Sequence, residues 1–177
     1  MTLREAITTF AKSQEGITEL PHGSNIVKFN NWYYPDGSAY HNQRLKSNRA
    51  PAYAWCGTFM AYIYHFGGQN HGWMLPSRLH EIIGYVPSAD NWLKKHVGVV
   101  EDGKAQPGDI IIFDWNLDEF EDHIGMVLEE HKNHFITIEG NTASDDKGDQ
   151  SNGGGVFIKK RKKSAVTDVY NIIDWSE

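Results

Sequence analysis

Cys56 is the only cysteine of the chain. A lone thiol has two fates: it attacks as a thiolate, or it packs inertly in a core, since free cysteine is among the most buried residue types. The first fate needs a base that takes the thiol proton and later returns it to a leaving group, and imidazole suits both steps. Nine histidines are available, and His123 stands out among them. It opens the run His123 to Leu128, in which Ile124, Met126 and Leu128 alternate on one strand face and His123, Gly125 and Val127 on the other. Gly125 leaves room on that face for something to approach. If Glu129 pairs with Asn133 across a three-residue turn, the antiparallel register sets Glu139 directly opposite His123. Opposed residues have Cβ atoms about 4.5–5.5 Å apart. A carboxylate there accepts from the imidazole, fixes its tautomer and stabilises its cation. Asn141 shares the face, and a slip of one residue would separate the pair.

The elements that must position these groups are legible in outline. Trp55, Phe59, Tyr62, Ile63 and Phe66 repeat at the spacing of one buried helix face, with Gly67 and Gly68 as its stop. Cys56 then falls in the first turn, where unpaired N–H groups and the helix dipole favour a thiolate. Thr2 and Glu5 have capping-box spacing ahead of a first helix that runs to about Glu15 and Gly16. The stretch from Gly16 to Arg49 reads mostly as loop. Its aromatics, Trp32 and Tyr33 among them, either line a substrate groove or cover the core. A short helix is expected between His71 and Pro87, and another from a cap at Ser88 to His96. After the turn Pro107-Gly108-Asp109, Ile110 to Phe113 reads as a fully buried strand, followed by strands at His123–Leu128, His134–Glu139, Val156–Lys162 and Val166–Ile173. Helices first and an antiparallel sheet afterwards make one α+β domain over residues 1–177.

Composition narrows the function classes. A hydrophobic content of 40% and an aromatic content of 12% suit one packed core, and a single cysteine excludes a disulfide framework. A net charge of -6 argues against general nucleic-acid binding. The basic run Lys159, Lys160, Arg161, Lys162 and Lys163 is the local exception, read as a solvated strand face. No segment reaches membrane-spanning length, and the first residues lack a signal-peptide pattern, so cytoplasmic synthesis is expected. His131 and His134 have metal-like spacing without further ligands nearby, and Asp145, Asp146 and Asp149 lack the glutamate of a calcium loop. No cofactor or metal site is expected.

Four separated motifs carry a resemblance: Tyr53-Ala54-Trp55-Cys56 with Phe59, Pro107-Gly108-Asp109-Ile110, Asp122-His123-Ile124-Gly125-Met126-Val127, and Ile138-Glu139-Gly140-Asn141-Thr142. Their order and spacing resemble the CHAP domains, the cysteine, histidine-dependent amidohydrolases and peptidases of the papain-like group. The stretches Glu19-Leu20-Pro21, Ser24-Asn25 and Gln150 to Val156 are similar to the branch found in bacteriophage lysins. The resemblance implies a papain-like fold with Cys56 as nucleophile, His123 as base and acid, Glu139 as orienting acid and Asn141 as an auxiliary polar residue. It also implies bacterial peptidoglycan as partner, cleaved at the N-acetylmuramoyl-L-alanine amide or within the stem or cross-bridge, after release from the cytoplasm. Some relatives bind calcium upstream of the cysteine; no such acidic cluster stands there in this sequence. Trp55, Trp32 and Tyr33 are the candidate groove walls. An inactive wall-binding module and an amidase of a small cytoplasmic substrate are the competing readings.

Overall fold

The computed structural model describes residues 1–35, 53–145 and 147–176. Among the described residues five α-helices precede a five-stranded sheet: α1 (Leu3–Lys12), α2 (Lys28–Tyr33), α3 (Cys56–Gly68), α4 (Ser77–Ile82) and α5 (Val86–His96), then β1 (Ile110–Phe113), β2 (His123–Glu130), β3 (His134–Thr142), β4 (Gly155–Lys162) and β5 (Val166–Tyr170). The sheet is antiparallel throughout, in the order β4-β3-β2-β1-β5. This is the expected α+β arrangement, although β5 closes onto β1 at the far edge from its chain neighbour β4.

The capping box at Thr2 forms in full: Glu5 N–H donates to Thr2 Oγ1 and Thr2 N–H to Glu5 Oε2. Helix α1 ends at Lys12, a turn sooner than its periodicity suggests. The stretch expected to be loop contains α2, which carries Trp32 and Tyr33; its residues 36–49 lie outside the described part. Helix α5 begins at Val86, with Pro87 in its first turn, so Ser88 lies inside the helix and does not cap it.

Helix α3 is the centre of the molecule. Helices α1 and α2 pack on one flank and strands β2 and β3 on the other, so the helix is buried on most of its circumference where the sequence suggests one face. Gly67 and Gly68 are the last two residues of the helix, which ends where expected. A Cβ on Gly67 would lie 2.8 Å from Ile7 Cα, and one on Gly68 2.7 Å from the Trp73 carbonyl oxygen. Their role is close approach of neighbouring backbone.

The sheet is buried on both sides. Ile110, Ile112, Ile124, Met126 and Ile138 join the main core under the helices. Ile111, Phe113, Val127, Phe135 and Val169 form a second apolar layer on the opposite face. Strand β1 serves both, which accounts for its unbroken apolar run. Its entry turn is pinned by Arg4, whose Nη1 donates to Pro107 O (2.9 Å) and Asp109 Oδ1 (2.8 Å) and whose Nη2 donates to Asn171 Oδ1 (2.5 Å) and Asp174 Oδ2 (2.7 Å). One side chain thus fastens α1, β1 and the C-terminal segment together.

Candidate active site

Cys56 is the first residue of α3. No side chain caps this end, and no acidic residue occupies its first turn, so the positive end of the dipole is left to the thiol. His123 begins β2 on the face opposite the main core, and its ring interacts with Cys56, although neither ring nitrogen makes a well-directed hydrogen bond. Glu139 Oε2 lies 3.1 Å from His123 Nε2. The ring edge is not aimed along that line and Nε2 makes no well-directed hydrogen bond, so the pair is held by charge. His123 and Glu139 have no accessible surface, while Cys56 keeps 5% of its own. Cys56 is buried as well, and is the least enclosed of the three.

The electrostatics are those of a buried ion network. Burial opposes a charged imidazole, but contact with Cys56 and with the Glu139 carboxylate outweighs it, and the His123 pKa rises to about 9. Burial likewise pushes the Glu139 carboxyl up, and the Arg161 guanidinium together with His123 overcomes this, bringing it down to about 2.

The register differs from the one expected. Met126 pairs with Ile138 and Val127 with Thr137, and a bulge then shifts the pairing to Glu129 with Ile136 and Glu130 with Phe135. Continued one step, the first pairing sets Glu139 across from Gly125, not directly across from His123. The offset is two residues, so the acid stays on the face of the imidazole and reaches it diagonally. Gly125 provides the space: a Cβ there would lie 2.7 Å from Glu139 Cγ. Asn141 is buried with φ 60, and its Nδ2 donates to Ser151 O (3.2 Å) and Asn152 Oδ1 (3.1 Å) while Oδ1 has no partner. It holds the 151–152 loop beside the site.

Arg161 is the residue that the charge pattern concealed. The run Lys159 to Lys163 is not a solvated face: Lys159 and Arg161 point inward and are buried, and Lys160 and Lys162 are exposed. Arg161 Nε donates to Glu139 Oε1 (2.8 Å) and Nη2 to Glu139 Oε2 (2.5 Å), the two-pronged geometry of a guanidinium on a carboxylate. The signal was available, since period-2 alternation through a charged strand selects every second residue for the interior.

Of the candidate groove walls, Trp55 directly precedes the thiol and Trp32 and Tyr33 lie on α2. Trp55 has no accessible surface and stacks on Phe29 with ring centroids 5.4 Å apart, so it is a core residue and cannot wall a groove. Trp32 packs on Tyr62, His65, Phe66 and His80, more than one turn along α3 from Cys56. Tyr33 donates its hydroxyl to the His80 carbonyl oxygen. Both serve the α2–α3–α4 packing. His131 and His134 stack at 4.5 Å in the β2–β3 turn, and among the described residues no group of three or more His, Cys, Asp or Glu is placed to hold a metal. Asp145 accepts from the Lys147 and Gly148 N–H groups as a turn residue does.

A solved structure described as similar to lipoprotein, NLP/P60 family, from Staphylococcus aureus subsp. aureus Mu50 is 15% identical, with a TM-score of 0.46 over 96% of this chain and 41% of that one. The chain thus spans less than half the length of that protein. No curated protein matches the sequence. The family model of the CHAP domain matches residues 48–141, more than half of the chain and the span that includes Cys56, His123, Glu139 and Asn141. The chain belongs to the CHAP domain family.

Proposed function

We propose that this chain is a cysteine-dependent hydrolase that cleaves an amide bond of peptidoglycan. The observation that carries the proposal is the meeting of Cys56, at an uncapped helix start, with His123 and the ionised Glu139 behind it. The Cys56 thiolate adds to the amide carbonyl carbon, and the N–H groups at the start of α3 receive the charge that develops on oxygen. The C–N bond breaks as the His123 imidazolium gives its proton to the departing amine. A water molecule then attacks the thioester, losing its proton to His123, and the acid product leaves with the thiol restored. Glu139 stabilises the imidazolium at each stage without exchanging a proton, as its low pKa requires.

Peptidoglycan is favoured as substrate class by membership of the family and by the four motifs that span it. The lysin-like stretches Glu19 to Asn25 and Gln150 to Val156 support a finer reading, a lytic enzyme that meets the wall after release from the cell that makes it. Digestion of purified walls, with mass spectrometry of the soluble fragments, tests both levels. The native chain should release fragments with a new free amine, and Cys56→Ala should lower their yield by more than about 10⁴-fold with the fold retained. Equal release by the variant would remove the thiol from the mechanism. The fragment masses separate cleavage beside N-acetylmuramic acid from cleavage within the stem or cross-bridge.

A further inference from the structure

The Glu139 carboxylate accepts three hydrogen bonds and also faces the imidazole. Oε1 accepts from Thr137 Oγ1 (2.5 Å) and Arg161 Nε (2.8 Å), and Oε2 from Arg161 Nη2 (2.5 Å) while facing His123 Nε2. The guanidinium is equally committed. Its Nη1 donates to Gln150 Oε1 (2.8 Å) and its Nη2 also to Thr142 Oγ1 (3.1 Å), while its plane lies over Trp115 at 4.7 Å and Phe113 at 5.8 Å. Trp115 stacks in turn on Phe113 and stands 5.9 Å from the His123 ring. Gln150 Nε2 donates to the Asp145 and Gly148 carbonyl oxygens, so the same arginine ties the acid to the loop after β3.

We infer that Arg161 is a positioning residue whose positive charge sets the pH range over which the Cys56 and His123 pair exists as thiolate and imidazolium. The inference rests on the proposed role of that pair. With Arg161 present, thiolate, imidazolium, carboxylate and guanidinium sum to zero charge in a buried site. Without it the three remaining groups together carry one net negative charge, which raises the proton affinity of each. The charged groups facing Glu139 are His123 from β2, Arg161 from β4 and, across the imidazole, Cys56 from α3; Lys159, the other inward residue of β4, directs Nζ to the Ala143 and Asp145 carbonyl oxygens.

The test reads the only cysteine directly. The rate of alkylation of Cys56 by iodoacetamide, followed against pH, has an acid limb where the thiolate pair forms and an alkaline limb where the imidazolium is lost, and it needs no wall substrate. In Arg161→Met both limbs should move to higher pH by at least about one unit. Arg161→Lys keeps the charge and loses the two-pronged contact, so its limbs should return to the native positions while wall hydrolysis stays reduced by about tenfold or more. Limbs that stay in place in Arg161→Met, or that move equally in both variants, would overturn the inference. If Arg161→Met does not fold, Arg161→Gln takes its place with the same expectation. Failure of both neutral variants to fold would make the arginine structural alone and also overturn it. Unmoved limbs beside full wall activity would count against Arg161 and leave the proposed hydrolysis standing, whereas moved limbs without any wall activity would do the reverse.

Discussion

Two arginine–carboxylate pairs, one partly and one wholly buried, fasten this molecule, and they differ in what surrounds them. Arg4 and Asp109 join α1 to the entry of β1, and every contact of Arg4 ends on a carbonyl, an amide or a second carboxylate. Burial dominates at Asp109 and its carboxyl is raised above the ordinary value despite Arg4. Arg161 and Glu139 add a titratable imidazole and a thiol to the same kind of pair, and the Glu139 carboxyl falls to about 2. Around this second pair His123, Asn141 and Trp115 hold buried polar atoms without well-directed partners, while among the described residues Asn25, Trp55 and Asp168 hold the others, away from it. Such atoms weaken a fold unless something else requires them. The contrast separates a pair that holds the chain together from a pair that holds charges ready.

The contrast breaks most sharply with one substitution at each pair. Glu139→Gln removes the charge, keeps the shape and leaves Arg161 without its counterion. Wall hydrolysis should fall by about 10²–10⁴-fold, and stability by about 3–5 kcal/mol, the cost of leaving a buried charge unpaired. Asp109→Asn leaves Arg4 bonded to Asp174, Asn171 and Pro107, and removes a charge that burial already disfavours. It should cost about 1–3 kcal/mol and leave hydrolysis per folded molecule within about twofold. Denaturant melts and rates normalised to folded protein measure both. Comparable rate losses in the two variants would erase the distinction.

A smaller effect sharpens it through pH. The folded-state pKa of His123 lies above its ordinary 6.5, near 9, so its contribution to stability is full below 6.5 and is lost as pH rises through about 9. Glu139 lies below its ordinary 4.5, near 2, so its contribution is full above 4.5 and is lost as pH falls toward 2. The two shifts share one contact, which is counted once at about 3 kcal/mol. The native chain should therefore exceed His123→Ala in melting temperature most between about pH 4.5 and 6.5, and lose about 6–12 °C of that lead by pH 10. Asp109 has the opposite acid slope: its raised pKa means that stability from this group declines as pH rises through that value. A lead that stays flat from pH 6 to pH 10 would mean that His123 gains no charge from its neighbours.

How much of this was legible in the sequence depends on the range of the interaction. The thiol's helix, the doubly buried β1 and the sharing of one face by His123 and Glu139 follow from local periodicity, which needs only nearby residues. The pairing offset does not, because the bulge between Val127 and Glu129 has no residue signature and depends on how two strands meet. The place of β5 beside β1 was hidden for the same reason. Trp55 shows another limit, since an aromatic beside a nucleophile reads equally as wall or core until Phe29 is seen stacked on it. Arg161 was missed through composition: five consecutive basic residues looked like a surface, when strand alternation already required half of them to turn inward.

The finest test concerns Gly125, where neither charge nor chemistry changes. Its missing side chain is the space that Glu139 occupies, so Gly125→Ala would place a Cβ 2.7 Å from Glu139 Cγ and 3.3 Å from the Ile138 carbonyl oxygen. Neither neighbour yields easily. Ile138 is paired to Met126 in the ladder, and the Glu139 carboxylate is held by Thr137 and by both prongs of Arg161. The strands must separate or the acid must swing from the imidazole, at a cost of about 1–3 kcal/mol for overpacking. Misplacement of this size should lower kcat about tenfold to hundredfold with KM little changed, because the acid touches the imidazole and not the substrate. If Gly125→Ala hydrolyses walls at the native rate, Glu139 has room to spare, and the close packing that marks this pair as the working one is not required.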